Sequence, residues 1–211
     1  MSKSSKAWLH EHINDAYVKK AQAEGFRSRA AYKLQEIDAR DRLLAPGQTV
    51  VDLGAAPGSW SQMIARRIGS TGCLVAVDLL PVAPVAGAKV ILGDFREDEV
   101  LAAVEKALEG RSVDLVVSDM APNLSGVAVS DQARSLHLCE LALEFAAKHL
   151  KVGGNFLVKT FQGGGQQEFR RAMEGQFKSV AVRKPDASRG RSAEVYLLGL
   201  GHRQGKSGGK T

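Results

Sequence analysis

A lysine closes an apolar run in Phe156-Leu157-Val158-Lys159. Lysine is ordinarily solvated, so its presence at the end of a run bound for the interior asks for a chemical reason. Aspartates recur in the same setting, with Asp52, Asp78, Asp94 and Asp119 at the ends of successive short apolar runs. One carboxylate in such a place is unremarkable. Four in succession with a lysine after them form a row of groups that can bind cations and move protons. After the first of these acids comes the turn Asp52-Leu53-Gly54-Ala55-Ala56-Pro57-Gly58-Ser59-Trp60. Its glycines let a ligand approach bare backbone before the next helix begins.

That turn is neither of the common phosphate cradles. Position 56 is alanine, so there is no GxGxxG, and no Gly-Lys-Ser/Thr follows Gly58. An acid inside the turn disfavours a pyrophosphate and favours a ligand that carries positive charge. S-adenosylmethionine, with a sulfonium and an ammonium, fits that requirement. Asp78, twenty residues after Gly58, can accept hydrogen bonds from both hydroxyls of the donor's ribose. Asp94 can accept from the adenine amino group. Trp60 is placed either to touch the donor or to pack in the core. A nicotinamide-dependent dehydrogenase is disfavoured by the same two features, the missing fingerprint and Asp52.

These groups must be carried by elements that end at a common edge. Strands are expected at Thr49–Leu53, Cys73–Asp78, Lys89–Asp94, Val113–Asp119 and Asn155–Thr160, with helices at Ser59–Ile68, Asp98–Glu109, Asp131–Leu150 and Gln166–Met173 between them. Gly153-Gly154 is expected to stop the long helix. Alternating strands and helices with near-continuous apolar strands predict an α/β, Rossmann-like fold: a mostly parallel sheet of seven strands covered on both faces. No helix separates the last two strands, Ser179–Val182 and Glu194–Leu198, so they are expected to pair as a hairpin with an antiparallel edge strand. Ligands of such sheets sit beyond the carboxyl ends of the strands. Two helices, Leu9–Ala23 and one opening near Ser28, precede the first strand. The expected organisation is a basic N-terminal helical extension (1–45), a catalytic domain (46–201) and a disordered tail (202–211).

The 211 residues suffice for one domain with a substantial core. No apolar run is long enough to span a membrane, and the N-terminus lacks the apolar core of a signal peptide, which predicts a cytoplasmic location. Cys73 and Cys139 belong to no CxxC, and the five histidines have no ligand spacing, so no metal site is expected. The net charge of +6 is uneven: residues 1–45 sum to +3, 46–169 to −4 and 170–211 to +7. Lys3, Lys6, Lys19, Lys20, Arg27 and Arg29 at one end, and Arg183, Lys184, Arg189 and Arg191 at the other, are expected to form a basic surface for a polyanion.

The glycine turn, the segment Ser118-Asp119-Met120-Ala121-Pro122-Asn123 and the Val158-Lys159 strand end resemble the FtsJ/RrmJ family of ribose 2′-O-methyltransferases over roughly residues 6 to 201. Within the family the chain is most similar to the compact bacterial members that act on large-subunit ribosomal RNA. The resemblance implies a Lys-Asp-Lys-Glu tetrad at Lys33, Asp119, Lys159 and Glu194. It also implies donor contacts at Gly58, Trp60, Asp78, Asp94 and Asp119, and a uridine of the A-loop of 23S rRNA as substrate. A monomer is expected, since no exposed apolar heptad suggests a partner.

The chemistry is consistent with that likeness. A ribose hydroxyl is a weak nucleophile, so a base must take its proton as the methyl group transfers. An ordinary lysine is protonated at neutral pH. Burial and a neighbouring cation release that proton more readily, while adjacent carboxylates oppose the release and hold the amine in place. Lys159 is therefore expected to be the base, Asp119 its orienting partner, and Lys33 and Glu194 the holders of the hydroxyl. Competing readings are a tRNA or mRNA-cap 2′-O-methyltransferase, a base-directed methyltransferase and a non-catalytic RNA-binding assembly factor. The loop Asp119-Met120-Ala121-Pro122 has no aromatic residue of the kind base-directed enzymes use. A pure binder has no need of Lys159.

Overall fold

The structure is a computed structural model that describes residues 15–123, 125–188 and 192–203. Its elements, in chain order, are α1 (Ala16–Ala23), α2 (Ala30–Asp41), β1 (Thr49–Leu53), α3 (Ser59–Ile68), β2 (Cys73–Asp78), β3 (Ala88–Leu92), α4 (Asp98–Leu108), β4 (Val113–Ser118), α5 (Ala128–His149), β5 (Leu150–Phe161), α6 (Gln166–Gln176), β6 (Phe177–Arg183) and β7 (Glu194–His202). Seven strands form one sheet in the order β3-β2-β1-β4-β5-β7-β6.

The central strands are buried along both faces, and their side chains alternate between two cores. Val50, Leu74, Leu115 and Leu157 pack with Leu34, Ile37, Trp60 and Ile64 from α2 and α3. Val51, Val75, Val116 and Phe156 pack on the opposite face with Val104, Ala142, Phe145 and Phe169 from α4, α5 and α6. The N-terminal extension is thus no appendage, since Leu34 and Ile37 share a core with the first strand.

The expected elements are present, with shifted ends. α5 starts at Ala128 and ends at His149, and the chain enters β5 at Leu150, before the glycine pair. Val113 faces Leu150 while Leu115 faces Asn155, so the extra residues bulge out of register. Gly153, at φ 84, provides the left-handed residue that this bulge requires. The glycines therefore kink a strand and do not stop the helix. The last strand continues through His202, four residues past the expected end at Leu198. Residues 204–211 of the expected tail lie outside the described residues, as do Leu9 to Asn14 of the expected first helix.

β1 to β5 run parallel. The expected hairpin forms, but its reversed member, β7, is inserted between β5 and β6 and runs antiparallel to both. β6 takes the outer position. This reversal matters for the site, because it brings the first residue of β7 to the edge where the parallel strands end.

Candidate active site

Ser118 faces Val158 across the β4–β5 pair, so Asp119 and Lys159 emerge side by side at the carboxyl edge. On the other side of β5, Lys159 faces Tyr196 and Phe161 faces Glu194. Lys33 arrives from α2, whose buried face is held against α3.

Two ion pairs result. Lys159 Nζ donates to the main-chain oxygen of Asp119 at 2.6 Å and lies 3.2 Å from Asp119 Oδ1. Lys33 Nζ lies 2.7 Å from Glu194 Oε1 and 2.9 Å from Oε2. Lys159 and Glu194 are only 7% and 8% exposed, so these charges meet largely without water. Each ammonium has its own carboxylate, and the four residues expected to act together are brought together in this paired form.

The pairs are joined by a residue that the sequence reading missed. Tyr196 is fully buried, donates its hydroxyl to Asp119 Oδ1 at 2.7 Å and reaches Glu194 Oε1 at 3.5 Å. Burial first, and then the two carboxylates, push its phenol well above the usual value of 10, so it stays a proton donor at neutral pH. Tyr196 stands two residues after Glu194 on a strand, which places both side chains on one face. That alternation was the available signal. Ser188, whose hydroxyl donates to Glu194 Oε1 at 2.8 Å, was also missed. It belongs to an irregular loop, where no periodicity points to it.

The glycine turn is shaped by close neighbours. A side chain at Gly54 would place its Cβ 2.3 Å from Met120 Cγ, and one at Gly58 would place it 2.3 Å from Arg27 Nη1. Both glycines have left-handed backbones, at φ 77 and φ 103. Asp52 lies beneath the turn, wholly buried, with Oδ2 accepting from Ser61 at 2.6 Å and Oδ1 without a partner. Burial pushes its carboxyl up to about 7; Ser61 counters this, and Asp119 and Asp78 reinforce it. Asp52 therefore meets a ligand through its field and not by contact.

Asp78 is better exposed to a ligand. Its Oδ2 accepts from Ala56 N at 2.8 Å and its Oδ1 from Leu80 N at 2.7 Å, joining the turn to the β2–β3 loop. Each oxygen keeps a further acceptor position. Asp94, expected to receive an adenine amino group, is forked by Arg96, whose Nε lies 2.9 Å from both oxygens. That partner holds its carboxyl below the usual range. Trp60 is 3% exposed. Its indole N–H donates to Ala30 O at 2.7 Å, and its ring lies 5.7 Å from that of Tyr196. Its side chain is a strut between α2 and the site, the packing role that the sequence left open. Exposed Leu79, Leu80 and Leu92 add apolar surface at this edge.

The expected basic surface is corrected in part. Arg183 is paired with Asp41 at 2.6 Å. Lys184 Nζ donates to Ser192 O at 2.6 Å and to Glu194 O. Arg29 is paired with Asp15 and donates to Ala187 O. These charges hold the N-terminal helices, residues 184–188 and residues 192–194 around the site. A charge count could not see it, because the partners are distant in sequence. Lys3, Lys6, Arg189 and Arg191 lie outside the described residues.

A family model described as FtsJ-like methyltransferase matches residues 26–202. A ribosomal RNA large subunit methyltransferase E from Azoarcus sp. (strain BH72) is 66% identical over 199 residues, spanning 94% of this chain and 97% of the relative. The protein of that name from Thiobacillus denitrificans is 61% identical, spanning 94% of this chain and 90% of the relative. Among solved structures, one from Plasmodium falciparum, described as a ribosomal RNA methyltransferase, superposes with a TM-score of 0.74. It is 28% identical and covers 84% of this chain and 98% of its own.

Proposed function

The chain belongs to the FtsJ-like methyltransferase family, and from that premise we propose that it methylates a ribose 2′-hydroxyl of large-subunit ribosomal RNA with S-adenosylmethionine as donor. The observation that carries this reading is the convergence of Lys159, Asp119, Lys33 and Glu194 on the strand edge that also holds the glycine turn. The specific substrate is a uridine in the A-loop of 23S rRNA, as the family likeness implies, and the enzyme acts in the cytoplasm. No helix among the described residues is long and apolar enough to cross a membrane.

The residues present fit the donor. Asp78 keeps acceptor positions for a diol, and Leu79, Leu80 and Leu92 offer apolar surface to a purine. Asp94 would accept from an adenine amino group while sharing its oxygens with Arg96. Asp52, Asp78 and Asp119 favour a positively charged ligand. S-adenosylmethionine supplies an electrophilic methyl group on a sulfonium.

The protein's own part is to accept the hydroxyl proton. An amine that accepts a proton carries two N–H bonds and one lone pair. Asp119 engages Nζ through both its main-chain oxygen and Oδ1. With both N–H bonds directed at these oxygens, the lone pair is left for the incoming hydroxyl. With S-adenosylmethionine held at the glycine turn and Asp78 to supply the methyl group, the proton of the attacking hydroxyl would pass to Nζ. Tyr196 fixes Asp119 Oδ1. Glu194 uses both oxygens on Lys33, whose remaining N–H can hold the ribose oxygen.

The test is transfer of labelled methyl to isolated large subunits that lack the modification, comparing wild type with Lys159→Ala. The product is mapped by resistance of the modified ribose to alkaline cleavage. One protected position with wild type and none with the variant is the expected result. Transfer only to tRNA or capped RNA would refute the substrate. Near-normal turnover by Lys159→Ala would refute the base.

A further inference from the structure

We infer that Arg27 is a positioning residue for methyl-donor binding: it clamps the β2–β3 loop to the glycine turn and is not a grip for RNA phosphates. The inference rests on the donor site proposed above.

The guanidinium joins two segments through three carbonyls. Nη1 donates to Pro57 O at 3.0 Å, in the glycine turn, and to Ala83 O at 2.7 Å. Nη2 donates to Pro84 O at 2.7 Å. Among the described residues, the Ala83 and Pro84 carbonyls have no other hydrogen bond. The loop reads Pro81-Val82-Ala83-Pro84, and its prolines have no N–H with which to tie it down. It follows directly on Asp78, Leu79 and Leu80. The Arg27 guanidinium therefore supplies the bonds that tie Ala83 and Pro84, just beyond these acceptor and apolar groups, to the glycine turn.

Arg27 is itself anchored. Its main-chain N–H donates to Gln62 Oε1 at 3.0 Å, and Gln62 Nε2 donates back to Gly25 O at 3.0 Å. One residue on, Ser28 Oγ lies 2.8 Å from Ser59 Oγ. These bonds bolt residues 25–28 onto the first turn of α3. The bare Gly58 leaves room for the clamp, since a Cβ there would meet Arg27 Nη1 at 2.3 Å and Val82 Cγ1 at 3.0 Å. A planar fork with several donors can hold three carbonyls at once, whereas a lysine ammonium is a point charge on a flexible stem.

The sequence reading assigned Arg27 to phosphate binding, and the two roles separate in Arg27→Lys. That variant keeps the charge and loses the fork. Binding of S-adenosylmethionine, and of its demethylated thioether as an unreactive probe, is measured calorimetrically without RNA. RNA binding is measured separately against salt. Clamping predicts that Arg27→Lys weakens donor binding about tenfold, as expected for losing a charge-assisted hydrogen bond. RNA affinity and its salt slope stay unchanged, and turnover recovers at saturating donor. Amide hydrogen exchange of residues 79–87 should rise in the variant, which keeps the test open should donor binding fall too far to measure. Donor binding within twofold of wild type would overturn the inference. So would an Arg27→Ala variant with intact donor affinity and a salt slope reduced by about one, the mark of a lost phosphate contact. If wild type binds no S-adenosylmethionine, the proposed function fails first and this inference falls with it.

Discussion

Replacing Asp52 with asparagine should make the protein's stability less sensitive to pH, by an amount that follows from the burial of this carboxyl. Its folded-state value is about 7, against an ordinary 3.8. A folded state that holds the proton more tightly than the unfolded chain is stabilised at low pH. That advantage is complete below about pH 4 and is lost as pH rises through 7. Three on the pH scale, at about 1.4 kcal/mol each, give roughly 4 kcal/mol. Against a typical total of about 5–15 kcal/mol, this is a large pH-dependent term for one side chain. Asparagine matches the neutral acid in shape and has no charged form. Its amide must occupy the position of the unpartnered Oδ1, which costs the variant a penalty independent of pH.

The measurement is urea unfolding, followed by fluorescence or circular dichroism, of wild type and Asp52→Asn at several values between pH 4.5 and 8. The stability of the variant relative to wild type should climb through this range by about 3–4 kcal/mol. Asp94, Glu109 and Asp131 have lowered carboxyl values and oppose the trend in absolute stability. They are not among the charges that act on Asp52, so they cancel in the difference. Parallel curves for the two proteins would refute the reasoning, because Asp52 would then titrate like an exposed acid.

Three further perturbations test the site. Tyr196→Phe removes the donor between Asp119 and Glu194 and should cost about 1–2 kcal/mol in a thermal melt; turnover should fall several-fold while donor affinity holds, and unchanged turnover would remove Tyr196 from the network. Gly58→Ala sets a side chain on a left-handed residue and against Arg27, so calorimetry should show weaker donor binding together with a lower melting temperature; wild-type values for both would contradict the close approach. Lys33→Met strands a mostly buried carboxylate and should cost about 3 kcal/mol. The double variant Lys33→Met/Glu194→Gln should recover part of that loss, and strict additivity in the cycle would mean that the pair is not coupled.

Legibility from sequence followed regularity. Lys159, Asp119 and Asp78 stand at the ends of regular strands, so apolar pattern and polar interruption were enough to find them. Lys33 and Glu194 came only through family likeness, since one is on a helix and the other opens a strand after an irregular loop. Tyr196 satisfied the period-two rule but reads as an ordinary core aromatic until its hydroxyl is seen between two acids. The partners of Arg29, Arg183 and Lys184 escaped the sequence for a different reason. Arg183 finds Asp41 at a separation of 142 residues, and composition has no access to such a pairing. Gly153-Gly154 signalled a break in both readings, but only register against β4 shows that the break is a bulge within a strand.

The reversal of β7 explains why the last acid of the site had to come from the start of its strand. If β7 ran parallel to β5, its carboxyl end, Gly201-His202, would lie at the catalytic edge. Glu194 would then lie at the far end of a nine-residue strand, roughly 25–30 Å away at about 3.3 Å per residue. Antiparallel pairing instead sets Glu194 opposite Phe161 and Tyr196 opposite Lys159. The pairing also accounts for the charge balance of the site. Asp119 and Lys159 are neighbours from parallel strands, while Glu194 has no cation from the sheet and must be met by Lys33 from outside it. An unmet carboxylate at this burial would be costly. Hence the packing of α2 against the sheet is a condition of the Lys33–Glu194 pair, and the Ser28–Ser59 and Trp60–Ala30 contacts help to seat α2.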